Sequence, residues 1–357
     1  MDLKEIYCRA RQSFIDYSSG DPTSILAKEH GLLGLTRVMA CMESVGLDSD
    51  KVRFTALPDF TYTRNKLRWG AGIPYGCIIK FDEDLPPFIP LDFRPNCCGI
   101  VFARLNSFNY SIEDLQKRYY QIVDKYSAID SNDFNRRNHF MGIYNCAAEN
   151  CYYFLIHGSF NFVKDALYSE RNEKLLSTAE SKTIMGKTFT YLIGEKAQDY
   201  YQNYLELEQK TLFYRELIAS EMFPDAKIVF NRTHEGFYNV HTLLLGAYAD
   251  ASPFVCPIML APEMDLPIIK TFVPINSLYC APHGGGYALL EVANVQRTTI
   301  KLNANYLLSY PNRSQMMTDN VLDMPFFYRT NTDRFWCSEY KMAHELDRMT
   351  PIINLKI

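Results

Sequence analysis

Residues 196–222 read KAQDYYQNYLELEQKTLFYRELIASEM and residues 225–245 read DAKIVFNRTHEGFYNVHTLLL, and the change of texture between them decides the fold class. The first stretch contains neither glycine nor proline and carries tyrosines among mixed charges, the pattern of one long helix. The second opens a region, 225–311, of short apolar runs broken by Pro and Gly, which reads as strands and turns. Working outward, Ile25, Leu26, Leu32, Leu35 and Met39 give residues 23–47 the broad apolar stripe of a helix. Residues 51–105 read as strands and loops. Residues 111–128 read as a helix opened by Ser111 with Asp114 three positions on, a capping-box pattern. Residues 150–157 and 185–193 read as strands, and 338–348 as a last helix. Helices and strands fall in blocks rather than in βαβ alternation, so the class is α+β. No repeat or linker divides the chain, so we expect one large domain over 1–357 with a helical N-terminal segment over 1–50.

The chain has 357 residues, enough to bury a substantial core without a metal or disulfide to hold it. Thirty-seven Lys and Arg against 41 Asp and Glu leave a net charge of −4, so any phosphate binding must come from a local cationic groove. The candidates are Arg53, Arg64, Lys66 and Arg68, and the pair Arg136-Arg137 just before Asn138. Ten cysteines are too few for a disulfide scaffold, and no apolar run approaches membrane-spanning length. The expectation is an intracellular, cytoplasmic protein with reduced thiols and no membrane partner.

Four of seven histidines stand beside small or polar residues: His139, His157, His234 and His283. Imidazoles ligate Mn, Zn or Fe, and Cys97 or Cys98 adds a softer donor. Each histidine taken singly also fits a hydrogen-bonded structural role. The most pointed segment is Pro282-His283-Gly284-Gly285-Gly286. Glycines let backbone N–H groups approach a phosphate closely, and the histidine could attack phosphorus as a nucleophile. A glycine-rich turn with a surface histidine is the plainer reading of the same residues.

Taken together, the motifs resemble the RtcB family of GTP-dependent RNA ligases. Leu57-Pro58-Asp59 and Gly72-Ile73-Pro74-Tyr75-Gly76 look like its P-D-x-H-x-G…I-G segment. Pro95-Asn96-Cys97-Cys98-Gly99 sits where the family has D-x-x-C-G, and Asn138-His139-Phe140 matches N-H-F. His157-Gly158-Ser159 falls on H-S-G, and His234 on a later metal histidine. Ser277 to Tyr287 resembles S-A-x-H-G-A-G-R, whose histidine carries GMP, and Lys356 matches a C-terminal lysine that reaches the nucleotide.

The resemblance implies a fold of central β-sheets flanked by helices around a metal and nucleotide cleft. It implies Cys98, His139, His157 and His234 as Mn²⁺ ligands, and His283 as the residue that carries nucleotide. Asn138, Gly284, Gly285, Gly286 and Lys356 would contact the nucleotide, GTP in the family. The implied reaction joins an RNA 3′-phosphate or 2′,3′-cyclic phosphate to a 5′-hydroxyl. The departures carry expectations too. Pro95 replaces a carboxylate ligand, which predicts one metal rather than two. Gly142 replaces a guanine-reading glutamate, which predicts altered nucleotide choice. Asn161 and Tyr287 stand at phosphate-contacting arginines. Those losses leave open a binding or assembly protein without catalysis, or an enzyme that keeps the metal and nucleotide but joins different ends or acts as a nucleotidyltransferase or phosphatase.

Overall fold

A computed structural model describes residues 2–131, 133–134, 138–168, 170–261, 263–290, 294–300, 303–318 and 326–356. The architecture is mixed α+β: a large central sheet with helices packed against it. Its strands are β1 (Phe14–Asp16), β2 (Val52–Thr61), β3 (Tyr75–Phe81), β4 (Cys98–Leu105), β5 (Phe140–Cys146) and β6 (Cys151–Gly158). They continue with β7 (Lys227–Asn239), β8 (Thr242–Leu245), β9 (Val255–Pro257), β10 (Leu266–Thr271) and β11 (Ala343–Leu355). These 11 strands lie in the order β1-β2-β3-β8-β7-β4-β6-β5-β11-β10-β9. Only β1 and β2 run parallel; every other neighbouring pair is antiparallel.

The helices follow local signals in the sequence. Helix α1 spans Leu3–Ser13, and α2 spans Pro22–Ser44, with proline in its first turn and the Asp21 side chain accepting from the Ser24 amide. Helix α3 (Ile112–Lys125) is closed by the reciprocal box of Ser111 and Asp114. The long helix α4 runs from Glu195 to Met222. Strand alternation divides the core. Ile100 and Phe102 of β4 pack with Leu244, Ile269 and Trp336 on one face. Val101 and Leu105 pack with Leu115 and Tyr119 of α3 and Ile218 of α4 on the other. A third cluster joins Leu35 and Met39 of α2 to Phe54, Phe81 and Tyr204. Among the described residues, no helix is long and apolar enough to cross a membrane.

Two readings of local sequence need correction. The 1–50 segment is not wholly helical, because Phe14–Asp16 pairs with Phe54–Ala56 as an edge strand. Of the helix expected over 338–348, only Ser338 and Glu339 are helical, at the end of a turn over Phe335–Glu339. Residues 343–355 instead form β11, between β10 and β5. Good helix formers such as Ala343, Glu345 and Leu346 mislead there, because the two flanking strands satisfy the backbone of this segment through ladder bonds. Pro351 was the contrary signal: it sits where the register with β5 shifts, a place where a missing N–H is tolerated.

Candidate metal and nucleotide site

Three adjacent strands near the middle of the sheet, β7, β4 and β6, bring the ligands together. His157 of β6 pairs with Ile100 of β4, so Cys98, two residues from Ile100, shares its face. His234 lies at a break in the β7–β4 register, between the pairs Thr233–Gly99 and Glu235–Cys98. Such a bulge turns a side chain out of the regular alternation. The crossing is close: a Cβ on Gly99 would lie 2.3 Å from the Arg232 carbonyl oxygen. Cys97, with φ +56°, adopts the left-handed backbone that separates the two adjacent thiols. Cys97 goes into the apolar core, where burial pushes its thiol well up, and Cys98 faces the histidines.

The Cys98 sulfur is 3.5 Å from His139 Nε2 and 3.4 Å from His157 Nε2, and His157 Nε2 is 3.3 Å from His234 Nε2. Tetrahedral sulfur and nitrogen donors at bond lengths of about 2.0–2.3 Å stand about 3.3–3.6 Å apart. Cys98, His157 and His234 therefore have the spacing of a metal centre, their ligand atoms all lying within 4.8 Å of one another, while His139 touches only the Cys98 side of that group. The far nitrogens are anchored. His139 Nδ1 donates to the Asp133 carbonyl at 2.8 Å and His157 Nδ1 to the Asn138 carbonyl at 2.9 Å, which puts the lone pair of each ring on Nε2, the nitrogen that faces Cys98. His234 Nδ1 meets the Tyr248 hydroxyl at 3.3 Å. Burial, then the neighbouring imidazoles, lower the pKa values of His157 and His234 well below the ordinary range, so both rings are neutral.

Sequence reasoning missed the group beneath the centre. Arg215 of α4 is fully buried and donates to the Cys97 carbonyl at 3.0 Å, the Gly158 carbonyl at 3.4 Å and Asn231 Oδ1 at 3.1 Å. It thus ties the backbone leading into β4 and the end of β6 to the Asn231 side chain of β7. A lone arginine in a helix gives no such signal in sequence.

His283 follows the strand Leu278–Pro282 and comes within 4.7 Å of the His234 ring, centroid to centroid. Its Nδ1 lies 2.6 Å from Asp59 Oδ2 and 3.1 Å from the Gly246 carbonyl. Both partners are acceptors, so Nδ1 carries a hydrogen, and in the neutral ring the lone pair is then on Nε2. Asp59 is completely buried, and its Oδ1 has no hydrogen-bond partner among the described residues. The Asp59 role is a structural finding; the sequence offered it only as part of a motif.

The glycines do something different from the expected cradle. The Gly285 amide donates to the Met259 carbonyl at 2.8 Å, so it is already committed. A Cβ on Gly284, Gly285 or Gly286 would come within 2.2–2.3 Å of the carbonyls of Met259, Arg329 and Asp59 respectively. The run is glycine because three other backbones press against it.

His283 opens into a cleft of about 1020 Å³ that Gly285, Gly286, Asn138, Asn354 and Lys356 also line. Gly284 is not among the lining residues. Tyr62, Tyr287 and Tyr328 supply an aromatic wall. The place of a side chain at 142 is taken: a Cβ there would be 2.7 Å from Tyr144 Cε2 and 2.9 Å from Asn354 Oδ1.

Of the expected cations, Arg64 and Arg68 line the cleft. Arg68 is buried in an ion pair with Glu235, which also accepts from the Tyr75 hydroxyl. Arg53 instead bonds Ser13 and the backbone of Asp50, outside the cleft lining, and Lys66 is not among the lining residues. Arg136 and Arg137 lie outside the described residues. Asn161 is turned to Asp130, at 2.7 Å. Asp92 offers no substitute for the carboxylate lost at Pro95, since its Oδ2 accepts from the Thr190 amide at 3.2 Å.

No family model matches this chain, and no curated protein matches it.

Proposed function

We propose that this protein is a metal-dependent RNA ligase that carries nucleotide on His283 and joins an RNA 3′-phosphate, or a 2′,3′-cyclic phosphate, to a 5′-hydroxyl. The observation that carries the reading is His283 itself: Nδ1 is fixed by Asp59 and Gly246, leaving Nε2 a lone pair beside a cysteine-histidine cluster in a large cleft. Cys98, His139, His157 and His234 would hold one Mn²⁺, which when bound would neutralise phosphate charge. His283 Nε2 attacks the α-phosphorus of a nucleoside triphosphate and pyrophosphate leaves, giving a phosphoramidate. Asp59 stabilises the positive imidazole formed in that step. The nucleotide then passes to the RNA 3′-phosphate, and the 5′-hydroxyl displaces it. The tyrosine wall offers stacking faces for a base, and Lys356 and Arg64 offer charge to phosphates or a purine carbonyl. GTP is the family's nucleotide. With Tyr144 and Asn354 filling the place of a side chain at 142, ATP is expected to compete with it.

The test is incubation with α-labelled GTP or ATP and Mn²⁺, followed by denaturing electrophoresis. Acid-labile label on wild type and none on His283→Ala is the expected result. Label retained by His283→Ala would move the nucleophile elsewhere. Absence of label with either nucleotide would favour a protein that binds nucleic acid without sealing it. The commitment of Arg68 to Glu235 takes one cation away from phosphate, which counts against a protein that only binds nucleic acid.

A further inference from the structure

At the far end of the β5–β6 hairpin, Cys146 and Cys151 face each other as the last cross-strand pair before the turn. Glu149 stands in that turn, and the two sulfurs and its carboxylate all lie within 4.8 Å of one another. Asp347 of β11 brings a second carboxylate, with Oδ2 3.0 Å from the Cys146 sulfur, and Glu149 Oε2 is 3.5 Å from the Cys151 sulfur. We propose that Cys146, Glu149 and Cys151 form a second metal site, with Asp347 beside Cys146 as its support, one that takes a thiophilic divalent cation of the Zn²⁺ class.

Two sulfurs and the Glu149 oxygen make a three-donor set that leaves a fourth position for water, and tetrahedral sulfur–oxygen separations are about 3.5 Å at ordinary Zn bond lengths, as between Cys151 and Glu149. The outer groups are already arranged as supports. Glu149 accepts from Arg104 at 3.0 Å and from the Tyr153 hydroxyl at 3.1 Å, and Asp347 Oδ1 accepts from the Arg348 amide at 2.8 Å. Such bonds orient ligating carboxylates. Charge also balances: two thiolates and two carboxylates against one dication and Arg104 leave a single negative charge, facing solvent through exposed Glu149. The site is independent of the first centre, since β5 and β6 carry His157 at their opposite end, about 20 Å away at about 3.3 Å per residue. Its soft sulfur pair and lack of imidazole set it apart chemically.

The experiment uses the full chain carrying Cys98→Ser, which removes the thiolate of the first centre, and Co²⁺ as a spectroscopic probe. We expect a near-ultraviolet thiolate-to-cobalt band that saturates at one equivalent and is displaced by Zn²⁺. Adding Cys146→Ser with Cys151→Ser should abolish the band. Asp347→Asn, which keeps both thiols, should weaken Co²⁺ binding at least about tenfold, the usual effect of losing a support or ligand. A band that survives the double serine change would overturn the proposal. So would the absence of any band in a Cys98→Ser chain whose circular dichroism matches wild type. A mass two hydrogens lower, with Cys146 and Cys151 joined in one peptide under anaerobic handling, would identify a disulfide instead and also overturn it.

Discussion

Asp59→Asn isolates what the buried carboxylate does for His283. The change keeps the size of the side chain and an acceptor oxygen but removes the charge 2.6 Å from His283 Nδ1. Hydrogen bonds to charged partners are worth about 1.5–3 kcal/mol, and that stabilisation matters most when Nε2 becomes bonded to phosphorus and the ring turns positive. At about 1.4 kcal/mol per tenfold, nucleotidylation should slow by about 10–150-fold. The loss should stop there. The Gly246 carbonyl at 3.1 Å still accepts from Nδ1 and holds the tautomer. A histidine whose only orienting carboxylate becomes an amide loses about 10⁴-fold. The assay is the single-turnover rate of acid-labile label appearing on the protein, with His283→Ala as the zero and nucleotide affinity measured separately. A wild-type rate in Asp59→Asn would refute the assigned role. A loss near 10⁴-fold with affinity and fold intact would show that Gly246 holds nothing.

Three other perturbations follow from geometry. Arg215→Met should cost about 2–4 kcal/mol, because the Cys97 and Gly158 carbonyls lose a buried donor, and should weaken metal retention; an unchanged urea midpoint would contradict it. Gly99→Ala should destabilise by at least about 1–3 kcal/mol, since a Cβ there meets the Arg232 carbonyl at 2.3 Å and must displace the bulge that carries His234; thermal denaturation decides it. Burial alone would raise the Asp21 carboxyl, but its bonds to Arg329 and Ser24 hold it below the ordinary range. That stabilisation is present above the unfolded carboxyl value, near about 4, and is lost as pH falls through the lower folded value. Asp21→Asn should therefore lower stability at pH 7 and flatten its acid dependence, and a parallel acid limb in the variant would count against this.

Elements with local signals were legible in the sequence. The Ser111–Asp114 box, the apolar stripe of α2 and the uninterrupted run of α4 each carry their own instructions, and each element is found within a few residues of its expected bounds. Strand β11 was not legible, because its composition favours helix and only the strands beside it decide otherwise. The same division holds at the site. Cys98, His139, His157 and His234 could be named from order and residue type, but the convergence of Cys98, His157 and His234 depends on a bulge and on adjacency of β7, β4 and β6. The glycines after His283 were noticed for backbone approach to a phosphate, but the packing that demands glycine there left no trace in sequence. Their tightness comes from Met259, Arg329 and Asp59, all remote in sequence.

The late position of β11 between β5 and β10 has a consequence for synthesis. During translation, a nascent chain that has emerged only as far as residue 342 already holds every residue of the cysteine-histidine centre, yet one side of β5 has no partner. That open edge exposes unpaired amides and carbonyls beside the hairpin bearing His157, a template for wrong pairing between neighbouring nascent chains on one message. Seating residues 343–355 is thus the event that closes the sheet, and it cannot begin until those residues have themselves left the ribosome.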